Sequence, residues 1–135
     1  MANIIPHSFR GELFSGTHDF SNGGNSFKIA LYTSNPYTTS STAYSTSNEV
    51  SASNTGYTTG GKVLASQAVA SGTAVASVDF ADSALASATF TAAFAAIYND
   101  TNADKLCVVL DFGGNKTATN GTFTISFPNP STPAN

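Results

Sequence analysis

Residues 121–127, GTFTISF, put Phe123, Ile125 and Phe127 on one side of an extended chain and Thr122, Thr124 and Ser126 on the other. A two-residue repeat is the period of a β-strand with one buried face, and no helix gathers that set on one stripe. The pattern recurs upstream. In FKIALYT (27–33), Phe27, Ile29 and Leu31 alternate with Lys28, Ala30 and Tyr32. KLCVVLDF (105–112) aligns Leu106, Val108, Leu110 and Phe112, and AVASVDF (74–80) aligns Ala76, Val78 and Phe80. KVLASQAVA (62–70) and ATFTAAFAAIYN (88–99) add further strand character, the latter as one kinked strand or two short ones. Its alanine content suits a helix, but the Thr, Phe, Ile and Tyr content favours β. Turn signals separate these runs: SNGG at 21–24, Asn35–Pro36, SGT at 71–73 and DTNAD at 100–104. GGNKTATNG (113–121) reads as a hairpin connection, with Gly113, Gly114 and Gly121 supplying positive φ. Six or more short strands predict an all-β fold, a single-domain β-sandwich or jelly-roll-like barrel, over 27–127.

The rest of the chain is arranged around this body. PHSFRGELFSG predicts a short helix within 5–15, with Pro6 in the first turn, Phe9 and Leu13 as a small apolar stripe, and Gly16 as its stop. PNPSTPAN (128–135) is too proline-rich to continue a sheet and predicts an extended tail. Residues 33–61 are the unusual segment. Serine and threonine fill 15 of the 28 positions from 33 to 60, and Glu49 is the one charge there. Disordered linkers are poor in aromatics. Tyr37, Tyr44 and Tyr57 therefore predict a long ordered loop pinned by rings, with a short strand or helical turn near 42–50. The same rings, among Asn and Ser, also have the makings of a sugar-stacking face.

Chain length supports one domain, 1–135. Charged residues are only 10% of it, so Thr, Ser, Asn, Gly and Ala must cover the surface, which suits close contact with other protein. The five basic residues, Arg10, Lys28, Lys62, Lys105 and Lys116, stand singly in a chain of net charge −3. No patch can neutralise a row of phosphates, so no nucleic-acid partner is expected. No apolar run reaches membrane-spanning length, and the first residues lack a secretory signal, so no membrane partner and folding in a cytoplasm are expected.

Chemistry-bearing motifs are sparse. His18 stands beside Asp19, near Ser15 and Ser21, but triads are assembled by folding rather than by sequence adjacency. No nucleophile-elbow pattern accompanies them, so the segment reads as a turn or cap after the helix. His7 and His18 lack metal-ligand spacing. Asp100, Asn102 and Asp104 echo half a calcium loop, but Lys105 stands where that loop needs glycine, so 100–104 reads as a turn. Cys107, the single cysteine, lies in an apolar run and reads as a buried thiol. No catalytic residue, metal or cofactor is expected.

Three stretches together resemble a group of small structural proteins of tailed bacteriophages: FKIALYTS (27–34), SNEVSASNTGYTTGGKVL (47–64), and AIYNDT (96–101) with VLDFGGNKTATNGTFTISFP (109–128). Such chains typically carry a short N-terminal helix, a KIAL-type strand, a TNEVSGTGYTAGG-like loop, an AVIY strand and a DFG…SNGTFTI hairpin. The likeness spans most of 9–127. This chain departs from it by Ala52-Ser53-Asn54 in the loop and by the small-residue tract at 65–76. The resemblance implies a non-enzymatic virion component, foremost a capsid decoration (cement) protein at the capsid surface. Its implied partners are the major capsid protein and copies of itself, as a dimer or trimer. The loop and the tail are then candidate contact arms, with Tyr37, Tyr44, Tyr57, Asn54 and Thr58 as candidate protein-interface residues. A tail or fibre-associated role and a host-surface carbohydrate-binding module are the alternatives.

Overall fold

In the computed structural model, which describes residues 2–128, one hairpin organises the molecule. Strand β5 (Ser83–Asn99) and strand β6 (Lys105–Ile125) pair antiparallel along nearly their whole lengths, from Asn99↔Lys105 at the turn to Ser83↔Ile125 at the far end. The turn is DTNAD, with Ala103 and Asp104 both at positive φ. Strand β1 (Phe27–Tyr32) lies antiparallel on the inner half of β5, from Phe27↔Asn99 to Tyr32↔Phe94, and the two-residue β2 (Lys62–Val63) edges β1. The resulting sheet has the order β2-β1-β5-β6. Strands β3 (Ala68–Ser71) and β4 (Ala76–Asp79) form a separate hairpin. The all-β, single-domain expectation holds, with one helix among the described residues, α1 (His7–Phe14).

Several sequence expectations need correction. GGNKTATNG is not a hairpin connection. It continues β6, so that 105–111 pairs with one half of β5 and 116–125 with the other. Gly113 (φ 73) and Gly114 (φ 141) belong to a bulge between the pairs Phe94↔Asp111 and Ala92↔Lys116, and Asn120, not Gly121, takes the next positive φ. Alternating sequence on each side of the bulge looked like two strands because a bulge resets the period without ending the pairing. KVLASQAVA is likewise broken, by Ser66 at φ 54, into β2 and β3, and Ala76 and Val78 face solvent while Phe80 turns inward. The helix is shorter than expected. Pro6 caps it, and Leu13 is largely exposed while Phe9 packs inward. The proline-rich tail lies outside the described residues except for Pro128.

The sheet is buried on both faces, which explains why β1 reads apolar at nearly every position. On one face Phe27, Ile29, Leu31, Ile97, Cys107 and Phe123 pack with Phe9 of α1 and with Phe20, Tyr57, Leu64 and Phe80. The rings of Phe20 and Phe27 stack at 4.2 Å, with Phe80 edge-on to both. On the other face Ala30, Tyr32, Ala96, Tyr98, Leu106 and Val109 are covered by Ile4, Tyr37 and Tyr44.

The segment 33–61 is the strap that closes both faces. From the end of β1 it crosses one face to the outer edge of β6. There Tyr44 N–H donates to the Asp104 carbonyl and Leu106 N–H donates to the Thr42 carbonyl. It returns to the outer edge of β1, where Val50 N–H bonds the Leu31 carbonyl and Thr33 N–H the Asn48 carbonyl. It then passes to the opposite face, buries Tyr57, and ends at Gly61 (φ 80), whose position leaves no room for a Cβ against the Ile29 carbonyl. The expected order near 42–50 is present as two isolated bridges, Ala43↔Lys105 and Tyr32↔Glu49.

Candidate functional site

The strap is fastened by a single carboxylate. Glu49 Oε2 accepts the Tyr44 hydroxyl at 2.6 Å, and Oε1 accepts the Tyr57 hydroxyl and the Gly60 N–H, each at 2.7 Å. Tyr44 lies on one face of the sheet and Tyr57 on the other, so Glu49, half-buried beside β1, ties the two covers together. Every tyrosine of the chain joins this system. Tyr57 Oη also accepts the Leu31 N–H at 3.0 Å, and Tyr98 donates to the Gly60 carbonyl at 2.6 Å while stacking on Tyr44 at 4.6 Å. Tyr32 and Tyr37 share a 2.6 Å hydrogen bond beside the Ser45 carbonyl. Burial pushes all five hydroxyls above the ordinary tyrosine value; for Tyr44 and Tyr57 the hydrogen bond to Glu49 adds to it.

These contacts locate the expected interface residues. Tyr37 and Tyr57 are interior and Tyr44 is held between Tyr98 and Glu49, so the three rings anchor the loop to its own sheet and present no aromatic platform. Asn54 (φ 56) and Thr58 are exposed on the strap's outer bends. The structure therefore separates the set into three fasteners and two surface positions. Glu49 carried the signal for this, as the only charge in the hydroxyl-rich stretch, but nothing in its neighbours specified what it would bind.

A second polar cluster lies beneath α1. Asn99, fully buried, accepts the Thr101 and Asn102 N–H groups through Oδ1, both at 3.1 Å. This turns its Nδ2 toward Asn25 Oδ1 (2.9 Å) and His18 Nδ1 (3.0 Å). His18 Nδ1 is thus an acceptor, and Nε2–H donates to Glu12 Oε2 at 2.8 Å. Lys105 Nζ bonds the other Glu12 oxygen, also at 2.8 Å. Burial acts to raise the Glu12 carboxyl, but the hydrogen bonds from Lys105 and His18 outweigh it and hold it below the usual carboxylate range. Cys107 Sγ lies 3.9 Å from His18 Nδ1. The order thiol, imidazole, carboxylate is that of a cysteine nucleophile with its base and orienting group. The state is not. Burial, with Glu12 nearby, pushes the Cys107 thiol up to about 12, and the Asn99 amide occupies the nitrogen that would take its proton. His18 is therefore more than the turn or cap expected of it: it joins α1 to the β5–β6 turn. The Asp19 carboxylate takes no part and instead accepts the Ser21 N–H and hydroxyl, while the Asp19 N–H donates to Asn25 Oδ1. Among the described residues no group of three or more His, Cys, Asp or Glu side chains is placed to hold a metal ion, and no helix is long and apolar enough to cross a membrane.

The third feature is apolar. A groove of about 530 Å³ opens between α1 and the β3–β4 hairpin. Its floor is Ile97, Cys107, Val108, Leu110 and Ile125, its walls include Phe9, Phe20, Phe80 and Phe127, and Ile5, Leu13 and Val78 stand at its rim. Beside Leu13, Phe14 is 94% exposed. No family model, curated protein or solved structure matches the chain.

Proposed function

We propose that the chain is a non-enzymatic structural protein of a bacteriophage virion, acting as a capsid decoration protein that binds the major capsid protein and copies of itself. The observation that carries this reading is where the polar and apolar groups are spent. Glu49 and the five tyrosines fasten the strap, and Glu12, His18, Asn99 and Lys105 fasten the helix. Large apolar side chains meanwhile stand in solvent: Ile5, Leu13, Phe14, Val69, Val75 and Val78. Reactive groups held inward and apolar groups held outward suit a protein that grips other protein. The strap, bonded to both sheet edges, is not a free arm. Contact with other protein therefore falls to the helix, the groove and the β3–β4 hairpin.

Incubation of the purified chain with undecorated heads, followed by sedimentation and cryo-electron microscopy, tests this. Saturable binding in many copies on the head lattice is the expected result. A few copies at the tail would move the role there, and a chain left in the supernatant would overturn the reading. Glycan binding abolished by Y44A and Y57A would likewise overturn it.

A further inference from the structure

The geometry points to a second copy of this chain as the occupant of the groove, in a twofold dimer where each Phe14 enters the groove of the other protomer. The ring, 94% exposed at the end of α1, touches no core cluster of its own molecule. An opening of about 530 Å³ floored by Val108 and Leu110 accommodates a phenyl ring together with its flanking side chains. Plug and groove adjoin, because Leu13 belongs to the groove's rim and Phe14 follows it. An axis passing between two adjoining, complementary features carries each onto the other, so the contact is self-complementary and closes at two.

The charges nearby favour the same occupant. Glu12 is neutralised by Lys105 and hydrogen-bonded to His18, and Asp82, at the far end of the groove, accepts Ser126 Oγ and the Phe127 N–H. No side chain lining the groove is charged, so a second copy's Phe14 desolvates no charge on entering it, whereas a charged partner peptide finds no counter-charge in the lining. Ile5, Leu13 and Val78, each near half exposed, are the side chains the contact would cover.

The dimer rests on the structural-protein reading for its biological sense, but the two fail separately. Sedimentation velocity of the full chain over a concentration series is the test, with F14S and V78D as variants and T122D, on the exposed β5–β6 ribbon, as control. Phe14 and Val78 are exposed, so neither substitution threatens the fold. The wild type and T122D are expected to dimerise, and F14S and V78D to raise the dissociation constant at least ~30-fold, the size of an interface hot spot. A wild type that stays monomeric at its highest soluble concentration overturns the inference. So does a dimer that F14S leaves intact, or one that T122D alone disrupts, which would place the contact on the strand edge. A monomer that still coats heads removes the dimer and leaves decoration standing. A dimer that ignores heads does the reverse.

Discussion

Replacing Glu49 by Ala removes the acceptor of three donors at once. Tyr44 is only half-buried, so its hydroxyl turns to water at little cost. The Tyr57 hydroxyl, on a buried ring, has no such recourse and the half-buried Gly60 N–H recovers water only in part; hydrogen bonds to a charged acceptor are each worth about 1.5–3 kcal/mol. Taking the low end for a carboxylate that water reaches in part, E49A should cost about 3–4 kcal/mol. Glu49→Gln is the sharper companion. Its amide oxygen still serves Tyr57 and Gly60, and its amide nitrogen donates to a Tyr44 hydroxyl that turns acceptor, so only charge assistance is lost, about 1–2 kcal/mol. Urea denaturation followed by near-ultraviolet circular dichroism reads both, because no tryptophan masks the tyrosines. The reasoning is refuted if E49A falls within 1 kcal/mol of wild type, or if E49Q is as damaging as E49A.

The buried tyrosines make the fold alkali-sensitive. Their folded-state values lie above the unfolded value near 10, so their stabilising contribution is complete below about pH 10 and is lost as pH rises toward the folded values. The loss is about 1.4 kcal/mol per pH unit for each, about 5 for Tyr32, Tyr37, Tyr57 and Tyr98 together, and Cys107 adds to it from about pH 9 to 12. Stability measured from pH 8 to 12 should collapse within a narrow window above pH 11; a flat profile would exclude the interior placement of these rings. Gly61→Ala should destabilise by ~3 kcal/mol or more, because it meets both a positive φ and the Ile29 backbone, and thermal denaturation would show it. Phe123→Ala, which opens a cavity between Phe90, Phe112 and Ile125, should cost ~3 kcal/mol by the same assay; a loss below 1 kcal/mol would mean that this part of β6 is not packed.

Local periodicity carried most of the strand content. Phe27 to Leu31 and Phe123 to Phe127 are apolar at alternate positions and each row lies on one face, whereas Leu106 packs on the opposite face from Val108, Leu110 and Phe112, because the register shifts at Cys107 between the pairs Ile97↔Val108 and Tyr98↔Leu106. It did not carry the pairing. A bulge at Gly113–Gly114 and a turn at Ala103–Asp104 both place two successive residues at positive φ, and only the partner strand decides which one reverses the chain. Residues 83–87, SALAS, gave no strand signal, because they are fixed by β6 opposite rather than by their own propensity. Ring-pinning of the loop was legible from Tyr37, Tyr44 and Tyr57. The charge that fastens them and the Asn99–His18 contact across 81 positions were not, because the fold, not the local sequence, brings each pair of partners together.

One continuous strap closes both sides of a single sheet, and this couples openings that most β-proteins keep independent. Detaching 42–44 from β6 uncovers Tyr98 and pulls on Glu49, and releasing Glu49 unseats Tyr57 from the opposite side. The segment richest in serine and threonine, which by composition looks the most dispensable, therefore has no private route to fraying. Its amide protons at Tyr44 and Val50 are expected to exchange at rates set by global unfolding, like those of the strands it binds.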